Sequence, residues 1–86
     1  MRLYRTVFSR QALDFVTAAD DEVFAEINQW VDRIEHLPFT PGDYTEQDDD
    51  QRVIQVTVLH HVAIAYWPDH GAQEVRIVRV EANRDR

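Results

Sequence analysis

The sequence predicts an α+β domain in which a helical hairpin packs on an antiparallel four-stranded sheet. Residues 52–80 are dominated by β-branched and aromatic side chains, and one Pro-x-x-Gly turn interrupts them. Residues 9–37 carry apolar side chains at helical spacing between residues that can cap helices. A further short apolar run lies before residue 9. The expected element order is therefore β-α-α-β-β-β, within a single domain of residues 1–86.

Composition and charge exclude several classes of function. The 86 residues contain no cysteine, which excludes disulfides and thiolate metal sites. No apolar run is long enough to span a membrane, and the first residues lack the apolar core of a secretory signal, so we expect a cytoplasmic protein without a membrane partner. The net charge of −7 disfavours nonspecific binding to a polyanion.

The charges are divided unevenly along the chain. Residues 9–50 carry two arginines against twelve acids, whereas residues 51–86 carry five arginines against four acids. The predicted helices are therefore acidic, and the predicted sheet is close to neutral. The acidic run at residues 46–50 is expected to be a solvated loop, or alternatively a mobile flap over a basic sheet face.

The first strand and first helix are predicted from alternation and capping. Residues 3–8 alternate bulky side chains on both faces, which is typical of a strand. Ser9 is a favourable N-cap because its hydroxyl can accept a hydrogen bond from an exposed amide of the first helical turn. A helix is expected from Arg10 to Ala18, and a turn from Thr17 to Asp21.

The second helix has the clearest periodicity in the sequence. Asp20 or Asp21 is expected to cap it, and Pro38 to end it, because the residue before a proline disfavours the α region. Its apolar positions recur at spacings of four and three and form one stripe, which comprises Val23, Ile27, Trp30, Ile34 and Leu37.

Residues 39–50 are predicted to be a loop, and three antiparallel strands to follow at residues 52–58, 62–67 and 73–80. Alternation in these strands is consistent with one face under the helices and one partly exposed face. We expect the helical residues Val23, Ile27 and Ile34 to contact Ile54, Val56 or Ile64. The polar tail, residues 81–86, is expected to fray.

The element order and several local phrases resemble the RelE/ParE toxin superfamily. Residues 8–15 (FSRQALDF) resemble the point where the first strand of that family enters its first helix. Residues 34–44 resemble the end of its second helix, and residues 63–67 and 74–80 resemble its last two strands. The resemblance implies the toxin half of a toxin–antitoxin pair, which a cognate antitoxin holds silent. RelE-like members cut mRNA on the ribosome, and ParE-like members inhibit DNA gyrase.

The sequence departs from that family where the nuclease residues are expected. The strand that carries lysines in RelE-like nucleases reads Val-Ile-Gln-Val at residues 53–56, and His61 stands near the place of an arginine. A C-terminal helix with a tyrosine also has no counterpart up to Arg86. We therefore expect a toxin-like protein, either ParE-like or detoxified, that works through protein contacts. The alternatives are a ribosome-dependent mRNA endoribonuclease with a replaced site, and a homodimeric α+β domain that is not a toxin.

A replaced nuclease site would need a proton-transfer group and cations that hold the phosphate. The candidate catalytic residues are His60, His61, Arg52, Arg76, Arg79 and Tyr66, with His70 as a further assisting group. Strict alternation places Arg76 and Arg79 on opposite faces of the sheet, so only one of them could serve.

Each candidate also has a structural interpretation. His60 and His61 can simply be exposed in a strand connection, and the arginines can pair with acids on neighbouring strands. Trp30 and Trp67 are expected in the core, or alternatively at an interface. No cofactor or metal site is predicted, because adjacent histidines on a strand point to opposite faces and one metal ion cannot easily bind both.

Overall fold

The structure is a computed structural model and describes residues 1–83. Two helices pack on one face of a five-stranded sheet. The elements are, in chain order, β1 (Arg5–Phe8), α1 (Arg10–Ala18), α2 (Asp21–His36), β2 (Tyr44–Gln47), β3 (Val53–Val58), β4 (Val62–Asp69) and β5 (Glu74–Ala82). None of the described helices is both long enough and apolar enough to cross a membrane.

The α+β prediction is confirmed, but the sheet is mixed and has one more strand than expected. Its strand order is β1-β5-β4-β3-β2, with β1 parallel to β5 and all other pairs antiparallel. The additional strand β2 lies within the predicted loop of residues 39–50. Its sequence Tyr-Thr-Glu-Gln lacks apolar alternation because an edge strand is largely in contact with solvent.

The predicted caps of both helices are confirmed. The Ser9 hydroxyl accepts a hydrogen bond from the Ala12 amide at 3.1 Å, and Asp20 Oδ1 accepts one from the Val23 amide at 3.0 Å. Helix α1 has the predicted bounds, and α2 ends at His36, two residues before Pro38. Local side-chain chemistry thus sets where each helix begins and ends.

The main core lies between the helices and the sheet face that they cover, here called the covered face. Ile27, Trp30 and Ile34 of α2 pack in one cluster with Ile64 and Tyr66 of β4. The rings of Trp30 and Tyr66 meet edge to face, with 4.9 Å between their centroids. The expected contact of α2 with Ile64 is thus confirmed, and Trp30 is a core residue. Leu37, the last residue of the predicted stripe, is 64% exposed.

The placement of Ile54 and Val56 differs from the prediction. Both are buried, but they belong to a second cluster that contains no helical residue. The opposite side of β3 carries Gln55 and Thr57, whose polar side chains are satisfied locally. Gln55 Oε1 accepts from the Gly42 amide at 2.8 Å, and the Thr57 hydroxyl donates to Tyr66 Oη at 3.4 Å.

The end of the described chain is also more ordered than expected. Glu81 and Ala82 continue β5 rather than fraying, and Asn83 Nδ2 donates to the Leu59 carbonyl at 2.9 Å. Strand β4 likewise extends to Asp69, so the turn between the last two strands falls at residues 70–73. The remainder of the predicted fraying tail, residues 84–86, lies outside the described residues.

Candidate functional site

The sheet face opposite the helices, here called the open face, carries most of the predicted site arginines. Its centre is the small cluster of Ile54, Val56 and Ala65, with Trp67 and Val78 packed against it. Polar and charged side chains surround this cluster. This cluster is buried, with Ile54, Val56 and Ala65 at most 2% exposed, so the accessible part of the open face consists mainly of Trp67 and the charged side chains.

A β-bulge brings two of the arginines to this same face. Ala65 is opposite Arg79 and Tyr66 is opposite Ile77, so Val78 has no partner residue on β4. The bulge shifts the alternation of β5 by one residue. Val80 accordingly joins Ile77 on the covered face, which leaves Arg79 on the open face. The expectation that Arg76 and Arg79 lie on opposite faces is wrong, because strict alternation does not hold across a bulge.

Trp67 lies between two of the arginines. The guanidinium carbon of Arg52 is 4.2 Å from the centroid of the Trp67 ring, and that of Arg76 is 5.8 Å away. Such contacts use the negative face of the indole ring to hold a cation. A shallow pocket of about 270 Å³ borders this group, and its lining residues are Val7, Phe8, Ser9, Arg52, Trp67, Arg76, Ile77 and Val78.

Arg76 is engaged by two carboxylates of the same face. Its Nε donates to Asp69 Oδ2 at 3.1 Å, and its Nη2 lies 2.9 Å from Glu74 Oε1. Glu74 is only 7% exposed, and Arg5 Nη2 also donates to it at 2.8 Å. Arg76 therefore compensates the buried negative charge of Glu74, and this role is structural.

Arg52 and Arg79 are paired as well. Arg52 Nη1 donates to Asp48 Oδ2 at 3.2 Å, and Arg79 Nη2 donates to Glu46 Oε1 at 2.8 Å. Glu81 lies 3.6 Å from Arg79 Nε. Pairing with an acid on a neighbouring strand, as expected, therefore holds for Arg76 with Asp69, whereas Arg79 pairs with Glu46 of the more distant strand β2. Glu46 and Asp48 belong to the acidic run that was expected to be solvated.

The contacts of Asp69 and Arg79 shift the pKa values of both side chains. The Ala72 amide, which donates to the Asp69 carboxylate, and then Arg76 hold the pKa of Asp69 below its usual value. The hydrogen bond to Glu46 raises the pKa of Arg79. Both shifts favour the charged forms, so the ion pairs of the open face persist at neutral pH.

The two histidines of the strand connection lie away from the arginines. The His61 amide donates to Glu26 Oε1 at 2.7 Å, and its ring Nδ1 is 3.4 Å from Glu26 Oε2. The His60 ring contacts the His61 ring edge to face, with 4.5 Å between centroids. The connection is thus attached to α2, at the end of β3 opposite Arg52. The histidines and arginines do not form one site.

Tyr66 is a core residue rather than a site residue. Its side chain is on the covered face, it is 1% exposed, and its hydroxyl donates to the Thr40 carbonyl at 3.1 Å. Burial raises its pKa, and the nearby charge of Asp43 acts in the same direction. A buried phenol that is kept neutral on the far side of the sheet cannot serve a reaction at the open face.

His70 is part of an aromatic group at the β4–β5 turn. Its Nδ1 is 2.7 Å from the Tyr4 hydroxyl, and its ring stacks on Phe39 with 5.1 Å between centroids.

No group of three histidine, aspartate or glutamate side chains within residues 1–83 could hold a metal ion. The sequence placed Glu46 and Asp48 over the sheet only through the alternative of an acidic flap, and it did not place Asp69 on the open face. The signal for Asp69 was its position directly after the apolar run of β4.

Comparison with solved structures identifies the architecture. The chain is similar to a RelBE2 toxin–antitoxin complex chain from Mycobacterium tuberculosis, with a TM-score of 0.73 at 15% identity over 99% of this chain and 97% of that one. It is also similar to a chain of the archaeal RelE–RelB complex from Pyrococcus horikoshii, with a TM-score of 0.75 at 11% identity over 96% and 99%. The chain has the RelE-like fold.

The RelE-like fold extends over almost the whole chain, in agreement with the expectation from sequence. No family model matches the sequence, and no curated protein matches it. At 11–15% identity, the likeness establishes the fold but not the chemistry of the site. The chemistry must therefore be argued from the residues of the open face.

Proposed function

We propose that this protein is the toxin-like half of a toxin–antitoxin pair, that a cognate antitoxin binds it, and that it acts through contacts with other proteins. The RelE-like fold supports this proposal, since both structural neighbours come from complexes of a toxin with an antitoxin. The agreement covers nearly the full length of each chain. A role in the cytoplasm stays a prediction from the sequence.

The neutralised charge of the open face is the observation that carries the choice of protein contacts. Its arginines Arg5, Arg52, Arg76 and Arg79 each have a carboxylate oxygen within 3.2 Å of a guanidinium nitrogen. Cleavage of RNA develops negative charge on the scissile phosphate, and free cations stabilise it. Here the carboxylates already occupy those cations, and they would repel a phosphate.

The proton-transfer groups lead to the same conclusion. His61 is held against α2 by Glu26, and Tyr66 lies under the helices. A general base has to be within hydrogen-bond reach of the proton that it removes. Neither group shares a face with the arginine–tryptophan group of Arg52, Trp67 and Arg76. A surface of half-exposed, mutually paired charges around an aromatic side chain suits a protein partner instead.

Expression with and without the partner tests the proposal. We expect expression of this protein alone to arrest growth, and co-expression of the protein encoded by the adjacent open reading frame to relieve the arrest. Messenger RNA should stay intact during the arrest, as measured by primer extension. DNA supercoiling by gyrase should be assayed in parallel, because gyrase is a candidate target. A lack of any effect on growth, together with no stable complex with the adjacent gene product, would contradict the proposal.

The alternative enzyme function is a ribosome-dependent mRNA endoribonuclease of RelE type with a replaced site. The pocket of about 270 Å³ beside Arg52 and Trp67 is the feature that favours it. In that case, mRNA would be cut on the ribosome, and Arg52→Ala, at the pocket, would abolish cutting. Arg10→Ala is a matched control, since the Arg10 side chain is 89% exposed on α1.

A homodimeric α+β domain without toxin activity is the remaining alternative. It predicts a stable dimer in solution, which light scattering would detect at high protein concentration. A monomer that nevertheless binds the adjacent gene product would support the toxin-like role and exclude this alternative. Light scattering and the binding test together therefore distinguish self-association from binding to a partner.

A further inference from the structure

The two edges of the sheet differ in how their backbone groups are satisfied. At the β1 edge, the Thr6 amide donates to Glu35 Oε2 at 2.8 Å. The amides of Leu3 and Tyr4, just before β1, donate to the Glu35 carbonyl at 2.9 and 3.1 Å. The last turn of α2 therefore occupies part of this edge and limits the pairing of another strand there.

Within residues 1–83, no helix covers the β2 edge in this way. Tyr44 is opposite Val56 and Glu46 is opposite Ile54 on β3. The Asp48 amide donates to the Arg52 carbonyl at 3.1 Å in the same register, so the even-numbered residues of β2 bond toward β3. In this register, the N–H and C=O groups of Thr45 and Gln47 point outward, away from β3.

The side chains around this edge are exposed on both sides of the sheet. Thr45 and Gln47 are exposed on the covered-face side, next to Val53, which is 52% exposed. On the open face, Tyr44 is 53% exposed and Val58 is 42% exposed. An added strand would contact one apolar group on each side with its alternating side chains. This is the arrangement by which sheet edges bind extended peptides.

The negative charge around β2 favours a positively charged partner. Asp43, Asp49 and Asp50 flank β2 at its two ends, and no cation within residues 1–83 pairs with them. Glu46 and Asp48 add further acid, although each already holds one arginine. A second copy of this chain, paired at the same edge, would bring like charges together and be repelled. A basic segment would be attracted.

We propose that the β2 edge binds an extended, basic segment of a partner protein as an additional strand of the sheet. The outward groups of Thr45 and Gln47 supply the main-chain hydrogen bonds. Asp49 and Asp50, together with Asp43, whose carboxylate accepts a hydrogen bond from the Val58 amide but contacts no described cation, supply the preference for arginine and lysine. This interaction goes beyond the proposed function and does not depend on toxin activity, so either can fail without the other.

The probe is a ten-residue peptide that alternates arginine with valine, titrated into the ¹⁵N-labelled protein. We expect saturable shifts at the amides of residues 44–48. Hydrogen exchange of the Thr45 and Gln47 amides should slow more than about tenfold at saturation, since new hydrogen bonds protect them. Shifts centred on β1, or no saturable binding, would overturn the proposal.

A peptide that is N-methylated at every internal residue is the matched control. It keeps the positive charge but cannot donate main-chain hydrogen bonds, so we expect its Kd to rise at least about tenfold, or 1.4 kcal/mol. Equal binding of both peptides would show that attraction between charges is the whole effect, and would overturn strand addition.

Protein variants test the two contributions separately. Thr45→Pro removes one outward N–H, which an edge strand tolerates because that group points away from β3. We expect it to weaken binding several-fold relative to the control Thr45→Val. Asp49→Asn combined with Asp50→Asn should weaken binding and reduce its dependence on salt. If Thr45→Pro fails to fold, the charge variant and the methylated peptide still decide the result. Self-association through β2 in light scattering would overturn the proposal.

Discussion

The covered and open faces of the same sheet are stabilised by different interactions. On the covered face, large apolar side chains of α2, β4 and β5 exclude water almost completely, and Ile64, Val75 and Val80 are each 0% exposed. On the open face, the cluster of Ile54, Val56 and Ala65 is smaller, and half-exposed ion pairs around Trp67 border it. A buried residue of this sheet can therefore lie either in the core beneath the helices or in the smaller cluster on the opposite face.

The interactions on the two faces also contribute different amounts to the free energy of unfolding. Burial of a large apolar side chain contributes about 1.5–3 kcal/mol, whereas a half-exposed ion pair contributes about 0–1 kcal/mol. Stability therefore resides mainly on the covered face. The half-exposed ion pairs of the open face can therefore change at low cost in stability, whereas loss of Arg76 would leave the buried charge of Glu74 with less compensation.

The largest expected effect is on the covered face. Ile64→Ala should lower the free energy of unfolding by about 2–5 kcal/mol, because it leaves a cavity in the core. Urea denaturation followed by circular dichroism measures the change. Val53→Ala is the control, since Val53 is 52% exposed and its truncation should cost less than about 0.5 kcal/mol. Equal losses of unfolding free energy for Ile64→Ala and Val53→Ala would contradict the distinction between a buried core and a solvent-exposed edge.

The next effect concerns the aromatic centre of the open face. Trp67→Ala should lower the free energy of unfolding by about 1–3 kcal/mol, because Arg52 and Arg76 lose their contacts with the ring. Trp67→Phe keeps an aromatic face and should recover part of the loss. A loss as large as that of Ile64→Ala would mean that the open face is a second core of equal weight.

The Arg79–Glu46 pair should contribute less. A double-mutant cycle with Arg79→Met and Glu46→Gln should give a coupling energy below about 1 kcal/mol, because the two side chains are 39% and 38% exposed. The coupling should fall as salt is added. A coupling above 2 kcal/mol that does not respond to salt would contradict the description of this border as a screened surface.

The smallest effect is a dependence on pH from Asp69. Its pKa is lower in the folded protein than in the unfolded chain, so its contribution is present above about pH 4 and is lost as the pH falls through the folded value. Urea unfolding between pH 2 and 6 measures this. Asp69→Asn should flatten the curve in that window, and Asp14→Asn, on the exposed side of α1, is the control.

The amino-acid sequence was sufficient where structure depends on neighbouring residues. Ser9 and Asp20 cap their helices because each hydroxyl or carboxylate meets an amide three residues later. The apolar stripe of α2 and the alternation of β4 likewise follow from fixed local periodicities. The helices and the three long strands could therefore be predicted, and the resemblance of local phrases to a known family supplied the RelE-like expectation.

For the candidate site, the sequence supplied the residue types but not their neighbours. Arg52, Arg76 and Arg79 do share a face, yet His61 is attached to α2 and Tyr66 is buried beneath the helices. The acids that neutralise Arg79 and Arg52 come from a segment that was expected to be a loop. Which charges meet is a matter of strand pairing, and composition does not contain that information.

Tertiary pairing also decided the features on which the further proposal depends. The four residues of β2 become a strand only because β3 offers them hydrogen bonds, and the bulge at Val78 arises from the register of β5 against β4. These contacts join residues that are distant or weakly patterned in the chain. Local propensity determines the helices and long strands, whereas hydrogen-bond register between strands determines the faces, the free edge and the partners of each charge.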